Sequence, residues 1–134
     1  MGYFNQYVRA ESLEEAYGLY QKKNNFVLGG MLWLKMRKRP FGTAIDLSDL
    51  GLDQIEEDEK EFRIGAYVSL RELETNEALN TYTKGAFAES VKHIVGVQFR
   101  NVATVGGSLW GRYGFSDVMT IFRAMGAKVQ LHHA

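Results

Sequence analysis

Phe99-Arg100-Asn101-Val102-Ala103-Thr104-Val105-Gly106-Gly107-Ser108-Leu109 is the stretch on which the reading of this chain turns. Paired glycines at such a junction leave the backbone free of Cβ atoms, so a ligand can approach main-chain N–H groups closely. Oriented N–H groups near a helix start favour an anion such as a phosphate. A lone Gly-Gly carries little weight, because most are tight turns. A second pair stands upstream, in Phe26-Val27-Leu28-Gly29-Gly30-Met31-Leu32-Trp33. Each pair follows an apolar stretch and leads toward helical spacing. Two such loops in one small domain predict a pyrophosphate held from both sides.

The elements around the loops are legible from spacing. Ser12-Leu13-Glu14-Glu15 has the form of a capping box, and Leu13, Ala16, Tyr17 and Tyr20 then share one helical face. Asn24-Asn25 breaks that helix, and Phe26-Val27-Leu28 reads as a short buried strand. Leu32 and Met36 suit a helix that stops at Arg39-Pro40, since the residue before proline leaves helical geometry. Thr43 to Leu47 is a further strand, which makes parallel pairing expected. Asp53–Glu57 and Glu61–Gly65 form a hairpin around Asp58-Glu59-Lys60. Ser69-Leu70-Arg71-Glu72 repeats the capping box, a helix is expected from Lys84 to Val95, and Ser116-Asp117 opens another that Gly126 ends. Ala127 to Leu131 reads as a strand. The expectation is an α+β fold with two small subdomains, about 1–50 and 51–134: a strand–helix–strand unit, then a mixed sheet with helices.

Bulk properties exclude several classes. A chain of 134 residues is the length of one ordinary domain. Sixteen Lys and Arg balance sixteen Asp and Glu, so no overall field favours nucleic acid or an anionic membrane. The basic run Lys35-Met36-Arg37-Lys38-Arg39 reads as a solvated helix end rather than a nucleic-acid patch. With no cysteine, the chain supplies no thiolate to an iron–sulfur cluster, which would have to belong to a partner. No apolar stretch approaches the ~20 residues of a membrane helix, and no basic segment with an apolar run opens the chain. A soluble cytoplasmic domain is expected.

Conventional catalytic sites find no support. The histidines are His93, His132 and His133, and none has neighbours that would form a metal cage. No Ser sits in a G-x-S-x-G elbow. Glu56-Glu57 and Asp58-Glu59 read as charged turn residues. No residue is assigned as catalytic, and no metal site is expected.

Taken together, the second loop, Leu28-Gly29-Gly30-Met31-Leu32-Trp33-Leu34, Ala44-Ile45-Asp46-Leu47-Ser48, and Phe62-Arg63-Ile64-Gly65-Ala66 with Ser69-Leu70-Arg71-Glu72-Leu73 resemble the FAD-binding domain of the molybdenum hydroxylase flavoproteins. That family includes xanthine dehydrogenases and the medium subunits of carbon monoxide dehydrogenases. The likeness runs from about Phe4 to Leu131 and implies a PCMH-type FAD-binding fold. It implies FAD contacts from Phe26, Val27, Leu28, Gly29, Gly30, Met31, Leu32 and Trp33, from Ile94, and from Thr104, Val105, Gly106, Gly107, Ser108 and Asp117. Backbone N–H groups of Gly29 to Trp33 would meet the pyrophosphate, while Thr104 to Ser108 wrap its other side. Asp117 would accept hydrogen bonds from sugar hydroxyls; an acid that stabilises a helix start is an equal reading of the same position. Ile94 would pack on the cofactor, with a core role as the default.

The chain departs from the family pattern at Met31-Leu32-Trp33, at Ser108 and at Arg112-Tyr113-Gly114-Phe115. Trp33, Trp110 or Tyr113 could stack on a flavin or adenine ring, and Arg112 could pair with phosphate; core packing accounts equally well for the tryptophans. Family members run to about twice this length, so a truncated N-terminal portion is expected, lacking segments that complete the flavin pocket. The resemblance implies an electron relay from iron–sulfur and molybdopterin partner subunits through FAD to NAD+ or another acceptor. The alternative is a flavin-free structural or assembly subunit of such a complex. Binding of NAD in place of FAD ranks last, because no G-x-G-x-x-G fingerprint is present.

Overall fold

β1 (Phe4–Arg9), β2 (Phe26–Val27) and β3 (Phe41–Asp46) build a parallel sheet in the order β1-β3-β2. The structure is a computed structural model and describes residues 3–133. Val8 lies beside Ile45, and Phe26 beside Ala44. The central strand β3 is buried on both faces, as its run Phe-Gly-Thr-Ala-Ile requires. α1 (Leu13–Tyr20) packs over the sheet through Ala16, against Ala10 and Ile45. Parallel pairing is thus as expected, with β1 as an edge strand that its polar sequence, Phe-Asn-Gln-Tyr-Val-Arg, conceals.

Capping explains several element boundaries. The Ser12 hydroxyl accepts from the Glu15 N–H at 3.0 Å, but the Glu15 carboxylate accepts from Glu11 rather than from Ser12. Asn25, buried where the chain leaves α1, donates to the Leu19 carbonyl at 2.8 Å and accepts from the Thr43 N–H at 2.9 Å. It welds helix, turn and sheet together, and each of its buried polar groups is satisfied.

The second region is helical. β4 (Ile55–Glu57) and β5 (Phe62–Ile64) form an antiparallel hairpin. α2 (Leu70–Thr75), α3 (Glu77–Tyr82), α4 (Ala86–Val91), α5 (Val97–Val102), α6 (Val105–Gly111) and α7 (Asp117–Ala124) follow. Ser69 and Glu72 complete the reciprocal capping box of α2, and Ser116 caps α7. Val68, Leu70, Leu73, Leu79, Phe87, Val91, Val105, Val118 and Ile121 make the main core, with Phe87 and Phe122 edge to face at 5.3 Å.

Four expectations are corrected. The helix ending at Arg39-Pro40 is only a 3-10 turn over Leu34–Met36. Met31 takes the left-handed conformation (φ 62°) just before it, so helical geometry cannot propagate from the glycines. The basic run is accordingly no helix end, and Arg37 lies over the Phe26 ring at 4.5 Å. The mixed sheet of the second region reduces to a two-stranded hairpin. Ala127 to Leu131 forms no strand; Val129 and Leu131 are exposed, with no strand among the described residues to pair with.

Candidate functional site

A cleft of about 590 Å³ opens where β2 ends and the N-terminal halves of α6 and α7 approach. Phe26 to Leu34 form one wall; Ile94, Thr104, Gly106, Gly107, Ser108 and Asp117 contribute to the others. The residues expected at the cofactor therefore converge, except Val105. That side chain is buried in the helical core, because the first turn of α6 points it inward. Crevices beyond the carboxyl ends of parallel strands are favoured ligand sites, and the Gly29-Gly30 loop leaves β2 at that end.

The glycines do more than expose backbone to a ligand. A Cβ on Gly30 would fall 2.2 Å from the Val102 carbonyl oxygen. On Gly29 it would fall 2.9 Å from Thr104 Oγ1, and on Gly106 2.8 Å from Ala66. The two glycine loops are packed directly on each other, with the Thr104 hydroxyl between Gly29 and Gly107.

The two loops differ in what their donors are free to do. In the second, Val105 N–H donates to Val68 O, Gly106 N–H to Ala66 O and Ser108 N–H to Thr104 O, while Gly107 N–H donates to Thr104 Oγ1 at 3.1 Å. The N–H groups of Val105 to Ser108 are thus all engaged within the protein, and so is the Thr104 hydroxyl that the sequence offered to a ligand; of this stretch's main-chain donors only the Thr104 N–H has no partner among the described residues. A capped helix start satisfies its own orphan donors. In the first loop the N–H groups of Gly29, Gly30, Met31, Leu32 and Trp33 have no hydrogen-bond partner among the described residues. These residues are exposed or half-buried on the cleft wall, and a run of five unpartnered donors there is suited to an anion.

The polar side chains lie around this donor run. Ser108 lines the cleft with its hydroxyl unbonded among the described residues, and Asp117 stands exposed at the start of α7. Trp33, Tyr113 and Phe115 gather at the mouth, with Tyr113 and Phe115 stacked at 5.2 Å and Trp33 5.5 Å from Tyr113. Trp33 is 55% exposed and Phe115 72%, so these rings form a surface platform, not core. Arg112 does not line the cleft.

Two residues hold the walls together that motif reading passed over. The Tyr67 hydroxyl donates to Leu28 O and accepts from Leu47 N–H, tying the second region to the ends of β2 and β3. Burial pushes its phenol above the ordinary 10.0, which keeps the proton available for donation. Arg100 is buried, donates to Glu74 Oε2 at 3.0 Å and reaches the Ile94 carbonyl at 3.0 Å. Leu28 and Leu47 lie 39 and 20 residues from Tyr67, and Glu74 lies 26 from Arg100, so no local spacing could reveal these ties.

A largely apolar cleft of this size with a few convergent polar groups is the form of a small-molecule site. The donor run, the Ser108 hydroxyl and the aromatic rings fit a dinucleotide such as FAD. No helix among the described residues is long and apolar enough to cross a membrane.

Comparison with solved structures matches the Cu,Mo-CO dehydrogenase in its cyanide-inactivated form, at a TM-score of 0.84 and 24% identity, over 94% of this chain and 46% of that one. The reconstituted CO dehydrogenase from Oligotropha carboxidovorans matches at 0.69 and 27% identity, over 78% of this chain and 38% of that one. Among curated proteins, the uncharacterized protein YgfM of Escherichia coli K12 is 29% identical over 131 residues, covering 92% of this chain and 48% of that protein. The chain thus spans about half the length of the curated relatives it matches. The family model for the FAD binding domain in molybdopterin dehydrogenase matches residues 3–134, and this chain belongs to that family.

Proposed function

We propose that this cleft holds FAD with its pyrophosphate on the backbone donors of Gly29 to Trp33, and that the protein is the flavin-carrying part of a molybdenum-hydroxylase-type oxidoreductase. Iron–sulfur and molybdopterin subunits would deliver electrons, and NAD+ or another acceptor would take them. The observation that carries this reading is the run of five unpartnered N–H groups in residues that line the cleft, where the N–H groups of Val105 to Ser108 are already engaged. FAD would supply the redox chemistry, while the protein supplies position and electrostatics.

The chain's own residues then divide the work. Gly29 to Trp33 neutralise phosphate charge with oriented dipoles, in a cleft whose apolar walls strengthen each hydrogen bond. Ser108 offers one further donor on the opposite side. Asp117 accepts from sugar hydroxyls and, as an acid at a helix start, lies in the field of α7. Trp33, Tyr113 and Phe115 present ring faces to a heteroaromatic system.

Isothermal titration of FAD, FMN and ADP into flavin-free protein tests the reading. FAD is expected to bind more tightly than FMN, which has one phosphate. A yellow preparation absorbing near ~450 nm is expected on purification, the signature of flavin as cofactor. A colourless protein that ignores all three ligands yet retains iron–sulfur and molybdopterin subunits would replace this reading with the assembly role.

A further inference from the structure

Val95 combines two properties that folding alone does not reward. Its backbone is left-handed (φ 51°), a conformation in which a β-branched residue is crowded by its own chain. Its side chain is also 81% exposed on the wall of the cleft, so no burial offsets the strain. Such outliers persist only where their surroundings hold them, and they gather at ligand sites.

The hold comes from Arg100. Its Nη1 donates to the carbonyl of Ile94, immediately before Val95, at 3.0 Å. Its backbone N–H donates to the carbonyl of Gly96, immediately after Val95, at 3.0 Å. One residue thus grips the turn on both sides of Val95. The guanidinium is itself fixed by Glu74, whose carboxylate lies 3.0 Å from Arg100 Nε and 2.8 Å from Arg71 Nη1. The Arg100 and Glu74 side chains are 7% and 13% exposed, so the pair is well shielded from solvent.

We propose that Arg100 is a positioning residue that, braced by Glu74, holds the Ile94–Val95 turn so that Val95 stands in the cleft as a preformed apolar contact for a flat ring of the bound dinucleotide. The ring is adenine or isoalloxazine, which share the heteroaromatic face that an isopropyl group covers. This rests on the FAD reading above. Preforming the contact removes the ordering cost that a mobile side chain would impose on binding.

Isothermal titration of the full flavin-free chain with FAD, FMN and ADP tests the proposal in wild type, Val95→Ala, Arg100→Lys and the double variant. Val95 is exposed, so Val95→Ala keeps the wild-type melting temperature while FAD affinity falls by about tenfold through the lost methyl contacts. A loss shared with ADP assigns the contact to adenine; a loss shared with FMN assigns it to the isoalloxazine. In the Arg100→Lys background, Val95→Ala has little further effect, because the turn is no longer held in place. Losses that simply multiply would make Arg100 a fold-stabilising residue and overturn its positioning role. Glu74→Gln replaces Arg100→Lys in the cycle if that chain does not fold. Wild-type affinity for FAD, FMN and ADP in Val95→Ala overturns the inference and leaves the FAD reading standing, whereas a wild-type chain that binds none of them overturns both.

Discussion

The Tyr67 hydroxyl donates to the carbonyl oxygen of Leu28, the residue that leads into the first glycine pair. The phenol oxygen of Tyr67 in turn accepts from the Leu47 N–H at 3.0 Å, so one phenol bridges the ends of two parallel strands from the opposite region. Removing it leaves a half-buried N–H and C=O without a partner. Tyr67→Phe is expected to lower stability by about 1–3 kcal/mol, the cost of unsatisfied groups at a shielded site, and to weaken FAD binding. Urea denaturation beside FAD titration measures both. Unchanged values in the two experiments would deny Tyr67 any part in setting the loop.

The glycines of the two pairs are not equivalent. Gly30→Ala places a Cβ 2.2 Å from the backbone carbonyl of Val102, which cannot be relieved by rotating a side chain. Several kcal/mol of destabilisation are expected, as for other overpacked sites. Gly107→Ala meets only the Thr104 hydroxyl at 2.9 Å, and Gly107 lies in α6 outside the left-handed region. Alanine gains up to about 1 kcal/mol of helix propensity there, so its melting temperature should stay near wild type. Equal losses at both positions would contradict the packing of loop on loop.

Thr104 and Ser108 should separate fold from ligand. Thr104 caps α6 through the Gly107 N–H, and Thr104→Ala is expected to cost about 1 kcal/mol of stability. The Ser108 hydroxyl has no partner among the described residues, so Ser108→Ala should leave stability within about 0.5 kcal/mol. Its FAD affinity should fall by about 0.5–1.5 kcal/mol, one neutral hydrogen bond. Thermal melts and titration calorimetry decide; full affinity in Ser108→Ala would remove this side chain from the site.

Acid should loosen the turn next to Val95. Burial alone would push the Glu74 carboxyl upward, but hydrogen bonds from Arg71 and Arg100 outweigh it and hold the group below its ordinary 4.5. A carboxyl depressed in the folded state contributes stability that is complete above its unfolded value and is lost as pH falls through the folded one. Wild-type stability should therefore fall more steeply than that of Glu74→Gln between about pH 5 and pH 3. Parallel denaturation curves across that range would show that the Arg100–Glu74 pair adds no pH-dependent stability.

Local chemistry was enough to write much of this protein into its sequence. The Ser69–Glu72 box, the Ser116 cap and the hairpin around Asp58-Glu59-Lys60 need only residues within a few positions of one another. The two glycine motifs marked residues that do meet in one cleft, because their spacing follows strand and helix ends. Local pattern failed where a distant contact overrode it. The apolar spacing from Leu32 to Met36 promised a helix, but the loop is held against Val102 through Gly30 and turns at Met31. Ala127 to Leu131 has strand composition, yet a strand needs a partner, and none among the described residues supplies one.

The sequence by itself determined which residues could line one cleft and, through their order, the family. Tertiary structure alone decided which donors remain free. Motif reading gave the two glycine loops equal roles, because each carries backbone N–H groups and no Cβ. In the folded chain Val105 to Ser108 satisfy their donors on Ala66, Val68 and Thr104, while those of Gly29 to Trp33 are left over. Likewise, nothing near Arg100 in sequence announces that it grips both sides of Val95 and leans on Glu74, 26 residues away. A hydrogen bond across the fold depends on the final positions of both partners, and spacing along one segment holds no record of the other.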